Sequence, residues 1–251
     1  MDTQSPAAFG RADKTYVVLA ATFAVVLVLT NIIGVKLFVL WPDGRPGWIP
    51  GVGPLTLTSG IITYPITFLL TDLVSEFWGR KRADLMVMMG FGMSLLMLVM
   101  VQLALALEPS DFWSDPELGW GPDEMQEAFA ATFKFPALLL GASMLAYLVA
   151  QLFDVRLYHF WWKLTDGKHM WLRNNGSTMI SQLLDTIIVN GIFLTWGYPM
   201  EVGEVVEIII AVYLCKVVLA ILDTPLIYLG RSWLARFFGM KVEDWTSAPL
   251  A

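Results

Sequence analysis

The chain has 251 residues, of which 57% are hydrophobic and only 15% are charged. A soluble domain of this length usually carries about 25% charged residues, so the composition points to a membrane protein. The net charge is −6, but the charges are segregated along the chain, and one cysteine, Cys215, excludes a disulfide framework or a cysteine-based metal site.

Six stretches are apolar over the roughly 20 residues that a transmembrane helix needs. The first is too long for the apolar core of a typical signal peptide, so we interpret it as a span that follows a short tail. We therefore predict an all-α membrane protein, a bundle of six transmembrane helices. The predicted domains are tails at 1–14 and 230–251 around a transporter domain at 15–229, with spans at about 15–38, 57–78, 83–107, 133–156, 177–197 and 204–229.

The basic residues predict the orientation of the spans. Lys and Arg are enriched in cytoplasmic loops, and 12 of the 16 basic residues fall in alternate connections or in the tails. The opposite loops are acidic, as in 111–127 and 201–207. Six spans with both the N- and the C-terminus in the cytoplasm keep this alternation, so we expect a multi-pass protein of a cytoplasmic membrane.

Ionisable and amide side chains recur inside the spans. Each charged group at the bilayer centre costs on the order of 2.5–3.5 kcal/mol on insertion scales, so such groups are read first as functional. Several share a helix face through i, i+3, i+4 or i+7 spacing. We expect the set to bind substrate in one polar cavity: Asp72, Glu76, Gln151, Asp154, Ser181, Gln182, Asp185, Asn190, Lys216 and Asp223.

Lys216 is predicted at a depth similar to that of Asp185, on the next helix, where the two side chains can meet. A purely structural ion pair is the alternative, and Asp72 with Glu76 can likewise pair with Arg80 or Arg82 at the membrane rim. The acids outnumber Lys216, however. The surplus indicates protonated carboxyl groups, a bound cation or a ligand rich in N–H donors.

A guanine-like heterocycle is one such ligand. Its N1–H and exocyclic amine suit a carboxylate, and its O6 and N7 edge suits donors such as Lys, Gln or Asn. This chemistry alone does not select a purine over an amino acid or an ion.

Enzyme signatures are missing from the sequence. The histidines, His159 and His169, have no zinc-binding spacing, and no serine-hydrolase or phosphate-loop motif occurs. We predict that the chain is not an enzyme and needs neither a cofactor nor a metal.

Four blocks resemble the queuosine precursor transporter family. They are "TNIIGVKLF" (30–38), "ITYPITFLLTDLVSEFWGRKRA" (62–83), 146–193 with "RNNGSTMISQLLDT", and "CKVVLAILDTPLIYL" (215–229). The resemblance implies a six-span protein of the bacterial inner membrane that imports 7-cyano-7-deazaguanine or 7-aminomethyl-7-deazaguanine for tRNA modification. It also implies roles for the polar residues named above, Asn190 excepted. We expect no nucleic acid partner.

Alternatives from other classes stay open. One is the substrate-binding subunit of an energy-coupling transporter, with Ala20 and Ala24 as a docking surface for a coupling subunit. Another is an ion-conducting or structural membrane protein. The sequence also leaves open whether protons or a cation drive transport and whether the chain forms a homo-oligomer.

Overall fold

The computed structural model is mostly helical and describes residues 10–41, 55–134, 136–164, 170–198 and 200–239. Two short strands, β1 (Leu37–Leu40) and β2 (Leu55–Thr58), and a 3-10 turn, Ser59–Ile62, lie between the first two helices. The helices in these ranges are α1 (Arg11–Ile33), α2 (Tyr64–Trp78), α3 (Arg80–Leu105), α4 (Pro122–Lys134), α5 (Pro136–Leu164), α6 (Met170–Gly197) and α7 (Val202–Phe238).

Four segments of the described chain are long and apolar enough to cross a membrane. This agrees with the prediction of a helical, multi-pass membrane protein, because lipid offers no partners for exposed backbone groups and helices satisfy their own. The segments are Arg11–Ile33, Lys81–Leu105, Pro122–Tyr147 and Met179–Gly197.

We predicted an all-α protein, but the structure also contains two short strands. β1 and β2 pair antiparallel, with Leu37 opposite Thr58, at the ends of segments that we predicted as the first two spans. The residues of β2 alternate Leu and Thr, and Leu57 is buried. A short apolar run of this kind is compatible with helix or strand by periodicity alone, which is why the sequence missed the ladder.

Helix α4 lies mostly between the third and fourth predicted spans, in a segment for which we made no structural prediction. Pro122 stands at its first position, where the missing N–H is harmless. The Glu124 carboxylate accepts a hydrogen bond from the N–H of Gly121 at 3.0 Å. Asp123 and Glu124 also place negative charge in the first turn, where the helix dipole favours it.

The described chain divides into two compact units. The first contains the described parts of 1–29, 62–94 and 219–251, and the second those of 30–61 and 95–218. In the first unit, α1, α2, α3 and the end of α7 share an apolar core that includes Phe23, Val74, Phe77, Met86 and Leu234. Gly79 joins α2 to α3 at φ 79°, a conformation that favours glycine.

The core of the second unit lies where α6 and α7 meet the strands. Phe193, Leu194, Ile208 and Val212 pack there against Leu57 of β2. Beside this core, the Tyr198 hydroxyl donates a hydrogen bond to the carbonyl of Val35 at 2.7 Å, and burial raises the pKa of this tyrosine. The phenol therefore stays protonated and able to donate throughout the neutral range.

Helices α1 and α3 approach closely at Gly90. A Cβ added there would lie 2.9 Å from the ring of Phe23 and 2.8 Å from a methyl group of Leu27. Gly92, two residues along the same helix, has no atom within 4 Å of such a Cβ. Gly90 thus sets the distance between the helices, whereas Gly92 does not.

We predict that Gly90→Leu destabilises the protein by about 1–3 kcal/mol, because overpacking forces neighbouring side chains off their rotamers. Gly92→Leu is the matched control and should be neutral or slightly stabilising, since Gly is about 1 kcal/mol less favourable than good helix formers. Thermal unfolding in detergent measures both. Equal midpoints for the two variants would contradict the packing of α1 on α3.

Candidate functional site

Lys216 and Asp185 form an ion pair between α6 and α7. The Lys216 Nζ donates a hydrogen bond to Asp185 Oδ2 at 2.9 Å. Each residue lies roughly three turns or more from either end of its helix, given 3.6 residues per turn. The pairing that the sequence predicted from depth is therefore present.

The pair is largely withdrawn from the surface. The side chains of Lys216 and Asp185 are 12% and 24% exposed. Removing two charges from water costs free energy that their attraction only partly returns, so replacing both by apolar groups is often neutral or stabilising. The pair is thus weak evidence for stability. Its remaining access allows a ligand to reach the lysine or the carboxylate.

The polar residues around Asp185 on α6 differ in where their hydrogen bonds go. The Thr186 hydroxyl donates to the carbonyl of Gln182 at 2.7 Å, and Asn190 Nδ2 donates to the carbonyl of Thr186 at 2.9 Å. Thr186 and Asn190 are buried. Both bonds return to the same helix, as polar side chains in apolar helices commonly do. Part of the Asn190 amide is thereby used within α6.

Ser181 and Gln182 lie one turn before Asp185. Ser181 is buried and Gln182 is half-buried. At i−4 and i−3 they share a helix face with Asp185, as the sequence predicted. Together with the ion pair they give this face a hydroxyl, an amide, a carboxylate and an ammonium group.

Tyr213 is a neighbour that the sequence reasoning missed. It precedes Lys216 by three residues on α7, and its hydroxyl donates to the carbonyl of Met179 at 3.3 Å. The bond is a second polar link between α6 and α7. The i, i+3 spacing from Lys216 was the available signal, but an aromatic residue in a span is usually ordinary apolar surface.

The other predicted residues are placed in helices but are not assembled into a site. Asp72 lies in α2, in the first unit, with an exposed side chain. Their convergence on one cavity stays a prediction. The remaining side chains lie outside the part of the chain that the structure describes: Glu76 in α2, Gln151 and Asp154 in α5, and Asp223 in α7.

Metal binding finds no support among the described side chains. Within the described ranges, no three His, Cys, Asp or Glu residues lie close enough to hold a metal ion. The chemistry offered by the paired helices is instead hydrogen bonding. A carboxylate accepts from adjacent N–H groups of a ligand, and an ammonium group donates to a carbonyl oxygen.

Comparison with known proteins gives two matches. The family described as "Putative vitamin uptake transporter" matches residues 58–230. A relative from Bacillus subtilis (strain 168), the "Probable queuosine precursor transporter", is 32% identical over 179 residues, which cover 70% of this chain and 72% of the relative. No solved structure matches the chain.

These matches agree with the apolar helices and with the resemblance of the four sequence blocks. A transporter family also implies a small-molecule substrate and a protein that is not an enzyme. The chain belongs to this vitamin uptake transporter family and is a relative of a queuosine precursor transporter.

Proposed function

We propose that the chain is a secondary transporter that imports a queuosine precursor base across the bacterial inner membrane for tRNA modification. The base is 7-cyano-7-deazaguanine or 7-aminomethyl-7-deazaguanine. The observation that carries the proposal is the Lys216–Asp185 pair inside two apolar helices. The name of the Bacillus subtilis relative supports the substrate class.

The hydrogen-bonding edges of a deazaguanine match the groups on α6 and α7. Its N1–H and exocyclic amine present two adjacent donors, which a single carboxylate such as Asp185 accepts together. Its O6 accepts a hydrogen bond from the ammonium group of Lys216 or the amide of Gln182. Position 7 is a carbon in this ring and accepts no hydrogen bond, so recognition of that edge rests on O6 and on the substituent at position 7.

The ion pair also stabilises the two charged groups when no substrate is bound. Without substrate, Lys216 neutralises Asp185 and keeps both charges tolerable within the helices. A bound base offers N–H donors to the carboxylate and an oxygen to the lysine. Substrate binding thereby exchanges one set of polar partners for another, and each charged group keeps a hydrogen-bond partner.

The remaining polar residues belong to the same proposal. Gln151, Asp154 and Asp223 are further candidate contacts of the base, and Asp72 with Glu76 is a candidate inner gate or proton-coupling site. Coupling to protons or another cation would use these carboxylates. The six spans and the cytoplasmic termini complete the arrangement that we propose.

The proposed orientation is testable by cysteine labelling. In a Cys215→Ser background, Phe112→Cys is expected to react with a membrane-impermeant maleimide in intact spheroplasts, because Phe112 is 95% exposed in the proposed outer loop. Arg11→Cys, at the exposed start of α1, should react only after the membrane is opened. Labelling of Arg11→Cys in intact spheroplasts would contradict cytoplasmic termini.

A double-variant cycle separates a binding role of the ion pair from a structural one. We expect Asp185→Asn and Lys216→Met each to lower uptake of the labelled 7-cyano base roughly tenfold or more, because a hydrogen bond to a charged group contributes about 1.5–3 kcal/mol. The combined variant removes both charges and should recover stability but not uptake. Thermal unfolding and initial uptake rates give the two readouts.

Glu207→Gln is the matched control for this cycle. Glu207 is an exposed acid on the same helix as Lys216 and should tolerate the change with unaltered uptake. Recovery of uptake in the combined variant would show that the pair only holds the helices together, and the assignment of the binding site would then be wrong.

Competition assays test the substrate. Unlabelled 7-cyano- and 7-aminomethyl-7-deazaguanine should each reduce uptake of the labelled base, and guanine should compete less because it lacks the substituent at position 7. Equal competition by all three would contradict a transporter specific for the queuosine precursors. Dependence of tRNA queuosine on the chain, in cells unable to make the precursor, gives a second readout.

A further inference from the structure

An open apolar groove of about 660 Å³ runs along the first helix, within the first unit. It is bounded by α1 and α3, and its lining offers no polar side chain beyond the hydroxyl of Tyr16 at one end. The side chains that shape it most are Val17, Ala21, Ala24 and Val28 of α1 with Met89 and Met93 of α3.

Small side chains make this surface concave. Ala21 and Ala24 leave a trough between the larger Val17 and Val28, and the flexible Met89 and Met93 form its opposite wall. The lining extends from Tyr16 to Leu29, about 20 Å at 1.5 Å per residue. One leaflet of the hydrocarbon core is about 15 Å thick, so the groove is long enough for the acyl chain of a lipid.

The end of the groove at Tyr16 carries positive charge. Lys14 precedes Val17 by three residues and Ala21 by seven, so it continues their face of α1 towards the Tyr16 end, and Arg11 stands in the first turn of α1 at the same end. Both lysine and arginine side chains are exposed there. A phosphate held at this end would sit directly beyond the apolar trough.

Arg82 adds a further cation at the same end. Its guanidinium carbon lies 5.3 Å from the centre of the Tyr16 ring, and its Nη1 donates to Asp13 Oδ1 at 3.4 Å. This pair is 37% and 41% exposed, which leaves the guanidinium accessible. Asp13 and Asp84 are the acids of these two helix starts, against Arg11, Lys14, Lys81 and Arg82.

We propose that this groove binds one anionic phospholipid, with an acyl chain in the trough and the phosphate at Arg11, Lys14 and Arg82. An apolar trough that ends in a basic cluster is complementary to a lipid with a negative headgroup, whereas a zwitterionic headgroup lacks the net charge. In the orientation proposed above, the lipid comes from the cytoplasmic leaflet. The groove shares no residue with those proposed to bind the base, so this inference does not rest on the identity of the transported substrate.

Native mass spectrometry tests the proposal on the purified full chain in detergent with equimolar dioleoylphosphatidylglycerol and dioleoylphosphatidylcholine. The wild type should retain one phosphatidylglycerol in preference to phosphatidylcholine. Arg11→Gln with Lys14→Gln should lower this preference about fivefold for each charge removed. Arg236 is an exposed basic residue of α7 that does not line the groove, so Arg236→Gln should leave the preference for phosphatidylglycerol unaltered.

A second pair of variants tests the trough itself. Ala21→Phe adds a ring to the lining of the groove and should abolish retention of phosphatidylglycerol, since Ala21 is exposed and lies between Val17 and Val28 in that lining. Val18→Phe is the control, because Val18 is exposed on α1 but does not line the groove. Unchanged thermal unfolding of both variants shows that neither has disturbed the fold.

Three results would overturn the proposal. They are equal retention of the two lipids by the wild type, full retention by Ala21→Phe, and a dimer without bound lipid that Ala21→Phe converts to a monomer. Retention of phosphatidylglycerol by Asp185→Asn with Lys216→Met should match the wild type. A loss of uptake in that variant and a loss of lipid in Ala21→Phe are therefore separate outcomes.

Discussion

The constraint on which this chain depends is the cost of placing a charge among apolar helices. Lys216 lies well inside α7, and its ammonium group is tolerable there because Asp185 of α6 accepts its hydrogen bond at 2.9 Å. The pair is one of the contacts through which these faces of α6 and α7 meet. Apolar packing of Phe193 and Leu194 against Ile208 and Val212 extends the same contact away from the charges.

Stability alone gives little reason for such a pair, because apolar side chains of similar volume would join the helices as well. Thr186 and Asn190 each return a hydrogen bond to their own helix. Asp185 and Lys216 instead bond to each other across the two helices, and part of each side chain remains exposed. This difference distinguishes side chains that bond within one helix from the charged pair, whose donors and acceptors we propose to contact the substrate.

The sequence predicted the helical, apolar character of the chain and the meeting of Asp185 with Lys216, because hydrophobic runs and residue depth are local properties. It missed β1, β2 and α4. In β2, Leu and Thr alternate over only four residues, and so short a pattern is also compatible with the end of a helix. The burial of Leu57 depends on residues of α6 and α7 that are far from it in the sequence. Tyr213 was missed for a similar reason, since only its hydrogen bond to Met179 sets it apart from other aromatic residues in apolar runs.

The groove on α1 also bears on how the transporter works with other proteins. A substrate-binding subunit would dock a coupling partner on Ala20 and Ala24, but Ala20 is only 1% exposed and packs in the core of the first unit. A partner helix on this side would therefore have to enter through Ala21 and Ala24, in the groove that fits an acyl chain. Lipid and partner helix exclude each other there. If a lipid is held there as we propose, a coupling subunit would have to displace it before docking on Ala21 and Ala24.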